Sequence, residues 1–305
     1  MISLLPSIRA HFVSLCAVTL LAGPLAASAQ STVVRVQTTQ GAIDLQLLDA
    51  EAPKTVANFL TYVRSQAWVD VMVHRAMPGF VVQTGGYPWR AGAAGPAAHI
   101  TTNPPVVNEF SLTRSNLRGT VAMAKVAGNP DSATSEWFVN LADNITPCPP
   151  VGSNAGLDCQ NGGFTVFART TTSAMAVVDK IAALRIVNVG GAFTNLPVTP
   201  LTDTTVTREN VVLITGITEY PPKPGLTDSD RIFNFLEATF PQFVPVEGKL
   251  AGEALGYVFR YYPKTNSFVG TKDGKVWYLV PAISNDVGYL GTLPDLLLLA
   301  VTNNQ

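Results

Sequence analysis

The stretch that decides the fold is residues 74–86, which read His-Arg-Ala-Met-Pro-Gly-Phe-Val-Val-Gln-Thr-Gly-Gly. Residues 80–83, Phe-Val-Val-Gln, are a short strand-like run. Successive side chains on a strand point to opposite faces, so His74 and Arg75 are expected to point apart. We therefore interpret His74 as a packed, hydrogen-bonded residue rather than a general base.

Short strands and two helices surround this stretch. Residues 33–48 alternate apolar and polar side chains around a Gln-Gly turn, which predicts a β-hairpin. Residues 52–66 and 173–184 carry apolar residues at helical spacing and predict two helices. Further strand-like runs are residues 80–83, 119–124, 136–141, 164–169 and 211–220. The pattern indicates a mainly β fold, a closed antiparallel barrel with helices at its ends.

The order of motifs over residues 33–219 resembles that of the cyclophilin family of peptidyl-prolyl cis-trans isomerases. Residues 74–86 match the family's His-Arg, Pro-Gly-Phe, Gln and Gly-Gly pattern. Gly-Thr-Val-Ala-Met-Ala at 119–124 and Asp-Ser-Ala-Thr-Ser-Glu-Trp-Phe at 131–138 follow in the family's order. Several ordered motifs are more specific than any one of them. The resemblance implies an eight-stranded barrel and an isomerase that acts on proline-containing polypeptides.

The chemistry of this reaction requires few groups. Rotation about a peptide bond faces a barrier of about 18–20 kcal/mol, and uncatalysed prolyl isomerisation takes tens to hundreds of seconds. Because no covalent bond to the substrate changes, the reaction needs no nucleophile, cofactor or metal. An apolar slot for the prolyl ring and a fixed cation near the amide nitrogen suffice, because twisting localises the lone pair of that nitrogen.

The resemblance assigns candidate residues to both parts of such a site. Arg75 is the expected catalytic donor, because a guanidinium stays charged and presents a rigid set of N–H groups. Gln83 is expected to hold Arg75 or the substrate backbone. The expected substrate-binding residues are Phe80, Val81, Ala124, Lys125, Glu136, Phe138, Leu157 and Phe164. In a simpler interpretation the apolar members are ordinary core and Arg75 is a solvated surface residue; the motif order favours the pocket.

Two of these residues depart from the family pattern. Phe164 stands where His or Tyr is frequent, and Glu136 stands where a Gln commonly contacts the substrate backbone. An ionised carboxylate accepts hydrogen bonds but cannot donate them. We therefore expect Glu136 to pair with Arg75 or Lys125 and to weaken peptide contacts. Reduced activity or a shifted substrate preference is the expected result.

The first 29 residues are predicted to be a signal peptide. Arg9 precedes an apolar run over residues 12–22, and Ala-Ser-Ala at 27–29 supplies the small residues that a signal peptidase accepts. The apolar run is too short to span about 30 Å of hydrocarbon as a membrane anchor. We expect an exported protein, located in the periplasm or, alternatively, secreted.

Cleavage after residue 29 leaves two cysteines, Cys148 and Cys159, in a Pro- and Gly-rich stretch. In an exported protein such a pair is best interpreted as a disulfide. The two remaining histidines, His74 and His99, stand at no metal-type spacing from either cysteine, so no zinc site is predicted.

Composition narrows the class of protein. The 305 residues include 20 Lys and Arg against 21 Asp and Glu, and 47% are hydrophobic. So apolar a chain with little self-repulsion is not disordered. It also lacks the basic excess that nucleic-acid binding by phosphate neutralisation requires, so no nucleic-acid partner is expected.

The Pro-Pro-Lys-Pro-Gly sequence at 221–225 predicts a stiff linker. It separates an isomerase-like domain, residues 30–220, from a small α+β module, residues 226–305. The module is predicted to contain a helix over 227–240 and a hairpin with an Asp-Gly turn. We interpret its aromatic residues mainly as core. Two alternatives to an isomerase are a non-catalytic peptide-binding chaperone and an envelope or adhesion protein that acts through this module.

Overall fold

The computed structural model describes residues 30–89, 98–145, 156–200 and 205–303. They form two compact units, one of residues 30–224 and a second that begins at residue 225. The predicted signal peptide, residues 1–29, and Cys148 lie outside the described residues. Export and the disulfide therefore stay predictions. The described residues include no helix that is both long and apolar enough to cross a bilayer.

The larger unit consists mainly of antiparallel strands. Among its described residues the helices are α1 (Pro53–Arg64) and α2 (Thr172–Ala182), and the strands are β1 (Val33–Thr38), β2 (Gly41–Leu47), β3 (Arg75–Met77), β4 (Val81–Thr84), β5 (Thr120–Met123), β6 (Trp137–Asn140), β7 (Val166–Thr170), β8 (Arg185–Val187), β9 (Leu196–Val198) and β10 (Ile214–Tyr220). Eight strands form one sheet in the order β10-β1-β2-β7-β5-β6-β4-β3, and β8 pairs with β9. The β8–β9 hairpin was not predicted from the sequence.

Hydrogen bonds join the two edges of the eight-stranded sheet. The segment before β3 runs beside the segment that leads into β10, where Asp70 N donates to Ile214 O at 2.8 Å and Ile214 N donates to Val71 O at 2.9 Å. Val73 N donates to Val212 O at 2.9 Å. The sheet therefore closes, and the predicted eight-stranded antiparallel barrel with two helices is confirmed.

Local sequence explains where the two helices begin. Pro53 occupies the first turn of α1, where its missing N–H costs nothing. The Thr171 side chain accepts a hydrogen bond from Ala174 N at 3.1 Å and caps α2. Each helix buries one face on the barrel.

An aromatic cluster fixes α1 on the barrel. Phe59 of α1 is fully buried, as are Trp68, Trp137 and Phe167. The Phe59 ring centroid lies 4.8 Å from that of Trp68, 4.9 Å from that of Phe167 and 6.0 Å from that of Trp137. Because Phe59 contacts all three rings, its side chain connects the helix to β6, to β7 and to the turn that follows α1.

The second unit is a small α+β module, as predicted. Its elements are α3 (Asp228–Thr239), β11 (Leu250–Ala254), β12 (Tyr257–Tyr262), β13 (Ser267–Lys272), β14 (Lys275–Leu279), β15 (Gly288–Thr292) and α4 (Leu293–Thr302). The five strands pair in chain order. Asp273 and Gly274 have φ values of 51° and 69° and form the predicted hairpin turn. Tyr262 and Phe268 are buried, whereas Tyr257, Tyr261 and Trp277 are half-buried.

Replacing Phe59 by Ala is expected to lower the free energy of unfolding by about 3–5 kcal/mol, because it leaves a cavity among three rings. Urea unfolding of the full chain, followed by intrinsic fluorescence, measures this loss. The matched control is Leu112→Ala, since Leu112 is 76% exposed. Equal losses in the two variants would contradict the role of Phe59.

Candidate active site

Strand register places Arg75 and Gln83 side by side. Arg75 of β3 lies directly opposite Gln83 of β4, and Gln83 lies opposite Phe138 of β6. Directly opposed residues of antiparallel strands project from the same face. A row across three strands therefore carries a cation, an amide and an aromatic ring, in that order.

This row borders a cavity of about 390 Å³. All ten residues predicted from the sequence line it: Arg75, Phe80, Val81, Gln83, Ala124, Lys125, Glu136, Phe138, Leu157 and Phe164. Four residues without a predicted substrate role line it as well: His74, Tyr87, Gln160 and Ala192. Ala192 comes from the connection between β8 and β9, so the hairpin that the sequence did not reveal contributes to the wall.

The apolar side of the cavity has a buried floor and a partly exposed wall. Val81, Phe138 and Leu157 are buried in one cluster, against which Phe80 and Phe164 pack while remaining partly accessible. The Phe138 and Phe164 rings meet edge to face at 5.8 Å. The arrangement is an apolar slot with one open side.

The guanidinium of Arg75 is held at the rim of the slot. One of its N–H groups donates to Gln83 Oε1 at 3.0 Å, and its Cζ lies 5.8 Å from the centre of the Phe80 ring. Burial lowers the pKa of Arg75, and the negative charge of Glu136 opposes that effect. Arg75 is thus a half-buried, fixed cation rather than a solvated surface residue.

Glu136 contacts a different set of partners from those predicted. Its carboxylate accepts from Gln83 Nε2 at 2.6 Å and from His99 Nε2 at 2.9 Å, and lies 3.3 Å from His74 Nε2. The expected direct pairing with Arg75 or Lys125 is therefore wrong. Gln83 stands between Glu136 and Arg75 and bonds to both, so the carboxylate reaches the arginine only through the amide.

Hydrogen bonding keeps Glu136 ionised. Burial, the largest single effect, raises the pKa of Glu136, but the hydrogen bond and charge interaction with His74 and the hydrogen bonds from Gln83 and His99 together outweigh it. The net result is a pKa below the ordinary value of a glutamate. Glu136 is therefore an acceptor at neutral pH.

His99 is the member of this network that sequence reasoning missed. The residue precedes Glu136 by 37 positions, in a stretch without regular secondary structure, so no periodicity indicated the contact. His74 likewise meets Glu136, with its ring almost fully buried. His74 borders the same cavity as Arg75, and its ring packs edge to face against those of Tyr87 and Phe193, as expected for a packed histidine.

Lys125 supports the opposite wall. Its ammonium donates to Asn161 O at 2.8 Å and to Gly163 O at 2.6 Å, and lies 4.7 Å from the centre of the Phe164 ring. Burial lowers the pKa of Lys125 to about 8, although Asp131 opposes the effect. Near neutral pH the charged lysine fixes the segment that carries Phe164.

Comparisons with known protein sequences find one family. The family model of cyclophilin type peptidyl-prolyl cis-trans isomerases matches residues 33–207. Peptidyl-prolyl cis-trans isomerase A of Dickeya dadantii is 38% identical over 180 residues, which are 58% of this chain and 85% of the relative. Peptidyl-prolyl cis-trans isomerase B of Escherichia coli is 36% identical over 148 residues, 48% of this chain and 82% of the relative.

A crystal structure of a cyclophilin type isomerase from Cryptosporidium parvum is also similar, with 17% sequence identity and a TM-score of 0.42. It aligns with 62% of this chain and 97% of its own. From the sequence comparisons, the protein is an isomerase of peptidyl-prolyl bonds. The chain belongs to the cyclophilin-type peptidyl-prolyl cis-trans isomerase family.

The ionisation of Lys125 is expected to appear in the activity. As the pH rises through about 8, the neutral amine loses its charge-assisted bonds, and kcat/KM falls. Lys125→Arg keeps the charge and is expected to remove this decline. NMR exchange on a short Xaa-Pro peptide measures the profile without a coupling protease. Lys54→Arg, at an exposed position, is the control. An unchanged decline in Lys125→Arg would assign it to another group.

Proposed function

We propose that this isomerase accelerates Xaa-Pro bond rotation in exported proteins by donation from Arg75 to the twisting prolyl amide, over the apolar slot. The observation that carries the proposal is the fixed guanidinium beside that slot, bonded to Gln83 at 3.0 Å. Gln83 uses its carbonyl oxygen for this bond and sets the orientation of the cation.

The donor acts on the transition state more than on the ground state. In the planar amide the nitrogen lone pair is delocalised and accepts hydrogen bonds poorly. Twisting localises the lone pair, so an N–H of Arg75 interacts with it most strongly when the bond is half rotated. An interaction that strengthens in the transition state raises the rate of the step itself.

The slot supplies the substrate contacts. A volume of about 390 Å³ lies within the range of small-ligand pockets and accommodates a prolyl ring with part of its neighbour. Phe138 and Leu157 form the floor under the ring, and Phe80 and Phe164 flank it. Backbone groups around Ala124 and Lys125 hold the residue before proline; Ala124 N already donates to Glu136 O at 2.9 Å, so this N–H is not the group that contacts the substrate.

Arg75→Ala is expected to lower kcat/KM by about a hundredfold, the usual cost of removing one preorganised donor. Exchange NMR or protease-coupled kinetics on an Xaa-Pro peptide measures the loss. Arg185→Ala, which removes an exposed arginine, is the control. Full activity in Arg75→Ala would refute the mechanism. No acceleration by the wild-type protein would favour a non-catalytic peptide-binding chaperone.

The export of this enzyme is part of the proposal, and the pattern of residues 1–29 supports it. Fractionation of cells that produce the full chain is expected to recover a shortened protein outside the cytoplasm. Titration of that material is expected to find no free thiol, because Cys148 and Cys159 pair in an oxidising compartment. A full-length cytoplasmic protein, or two free thiols in the exported one, would contradict the respective prediction.

A further inference from the structure

The amide of Gln83 is bonded at both ends. Its Oε1 accepts from Arg75 Nη1 at 3.0 Å, and its Nε2 donates to Glu136 Oε2 at 2.6 Å. A guanidinium can only donate, and an ionised carboxylate can only accept. An amide between these two groups satisfies both in a single orientation, with its oxygen toward the arginine. The carboxylate thus determines which end of Gln83 faces Arg75.

We propose that Glu136, braced by His99, is a positioning residue that fixes the Gln83 amide and, through it, the guanidinium of Arg75. This inference rests on the proposed role of Arg75 as the donor. It assigns a function to the residue that departs from the family pattern, and it brings His99 into the site although His99 itself is absent from the residues that line the cavity.

The absence of a side chain at Gly86 allows His99 to contact the carboxylate of Glu136. A Cβ on Gly86 would lie 2.5 Å from Glu136 Oε1 and 3.0 Å from His99 Nε2, so a larger residue there would separate the pair. Ile100 N donates to Gly86 O at 2.8 Å, which attaches the segment of His99 beside this glycine. His99 Nδ1 lies 2.9 Å from Ile100 O. Both ring nitrogens therefore face oxygen atoms, and the tautomer that carries its proton on Nε2 donates to Glu136.

Four charged or titratable side chains surround Glu136. His99 and His74 contact its carboxylate, and Arg75 interacts with its charge. The Tyr87 ring packs edge to face against the His74 ring at 4.9 Å and against the His99 ring at 5.0 Å. Burial raises the pKa of Glu136, and the hydrogen bond and charge interaction with His74, together with the hydrogen bonds from Gln83 and His99, lower it by more. Loss of His99 removes one of those bonds, so the pKa of Glu136 rises.

Two substitutions at position 136 test whether the side chain acts as a hydrogen-bond acceptor or only occupies space. Glu136→Met has no acceptor of comparable strength, so Gln83 no longer holds the guanidinium of Arg75 in place. The variant is expected to lower kcat about tenfold with little change in KM, because the donor then stabilises the transition state less. Glu136→Gln keeps an acceptor and is expected to retain kcat within about threefold. Glu51→Gln, at an exposed position, is the control. Equal kcat in the Met variant and the wild type would overturn the proposal.

The pH dependence of kcat, measured by exchange NMR on an Xaa-Pro peptide, provides a readout that a merely structural role does not move. Wild type is expected to fall by up to about threefold at acidic pH, toward the kcat of Glu136→Gln, because a protonated Glu136 offers Gln83 only a neutral, weaker acceptor. His99→Ala is expected to shift this acid limb to higher pH, and Glu136→Gln to abolish it. These variants also test the proposal if Glu136→Met fails to fold. An unshifted acid limb in both would overturn it.

Coupling to Arg75 distinguishes this inference from the mechanism on which it rests. In an Arg75→Ala background, Glu136→Met is expected to cause no further loss, because the residue acts through the arginine. The same tenfold loss in both backgrounds would show that Glu136 acts independently, and would overturn the inference alone. Wild-type activity in Arg75→Ala would refute the proposed mechanism first.

Discussion

The hydrogen bond between the Arg75 guanidinium and the Gln83 amide is the interaction on which the site depends. It forms because β3 and β4 are joined by a tight turn that places the two residues directly opposite each other. Gly79 in that turn has a φ of 75°, a conformation that costs glycine little. Three residues of strand are enough to present the arginine, because Gln83 fixes its headgroup at the far end of a flexible side chain.

Strand β6 and the residue before it connect this site to the barrel core. Glu136 and Phe138 line the cavity, whereas Trp137 between them is buried among Phe59 and Trp68. This alternation is the ordinary consequence of strand geometry. It means that packing of Trp137 in the core sets the positions of both a positioning carboxylate and the floor of the slot. Stability and function therefore share one segment, and a core change near Trp137 displaces the site.

The sequence predicts the barrel and ten of the residues that line the cavity, because both follow from ordered motifs and strand alternation. It fails for Glu136, because the partners of a charged residue depend on which irregular segments fold over it. His99 belongs to such a segment and reaches Glu136 across 37 positions. The β8–β9 hairpin was not predicted because strands of three residues are too short to show an alternation of apolar and polar side chains.

The number of N–H groups that each cation beside the cavity has left over supports the proposal that Arg75, rather than Lys125, acts on the substrate. Lys125 has three N–H groups and uses two on Asn161 O and Gly163 O, while its ammonium also faces the Phe164 ring. Arg75 has five N–H groups, of which one bonds Gln83 and another faces the sulfur of Met77. Arg75 thus keeps donors for a twisting amide, and its charge does not titrate near neutral pH. Lys125 instead maintains the wall, and the division of labour follows from the number of bonds that each cation already makes.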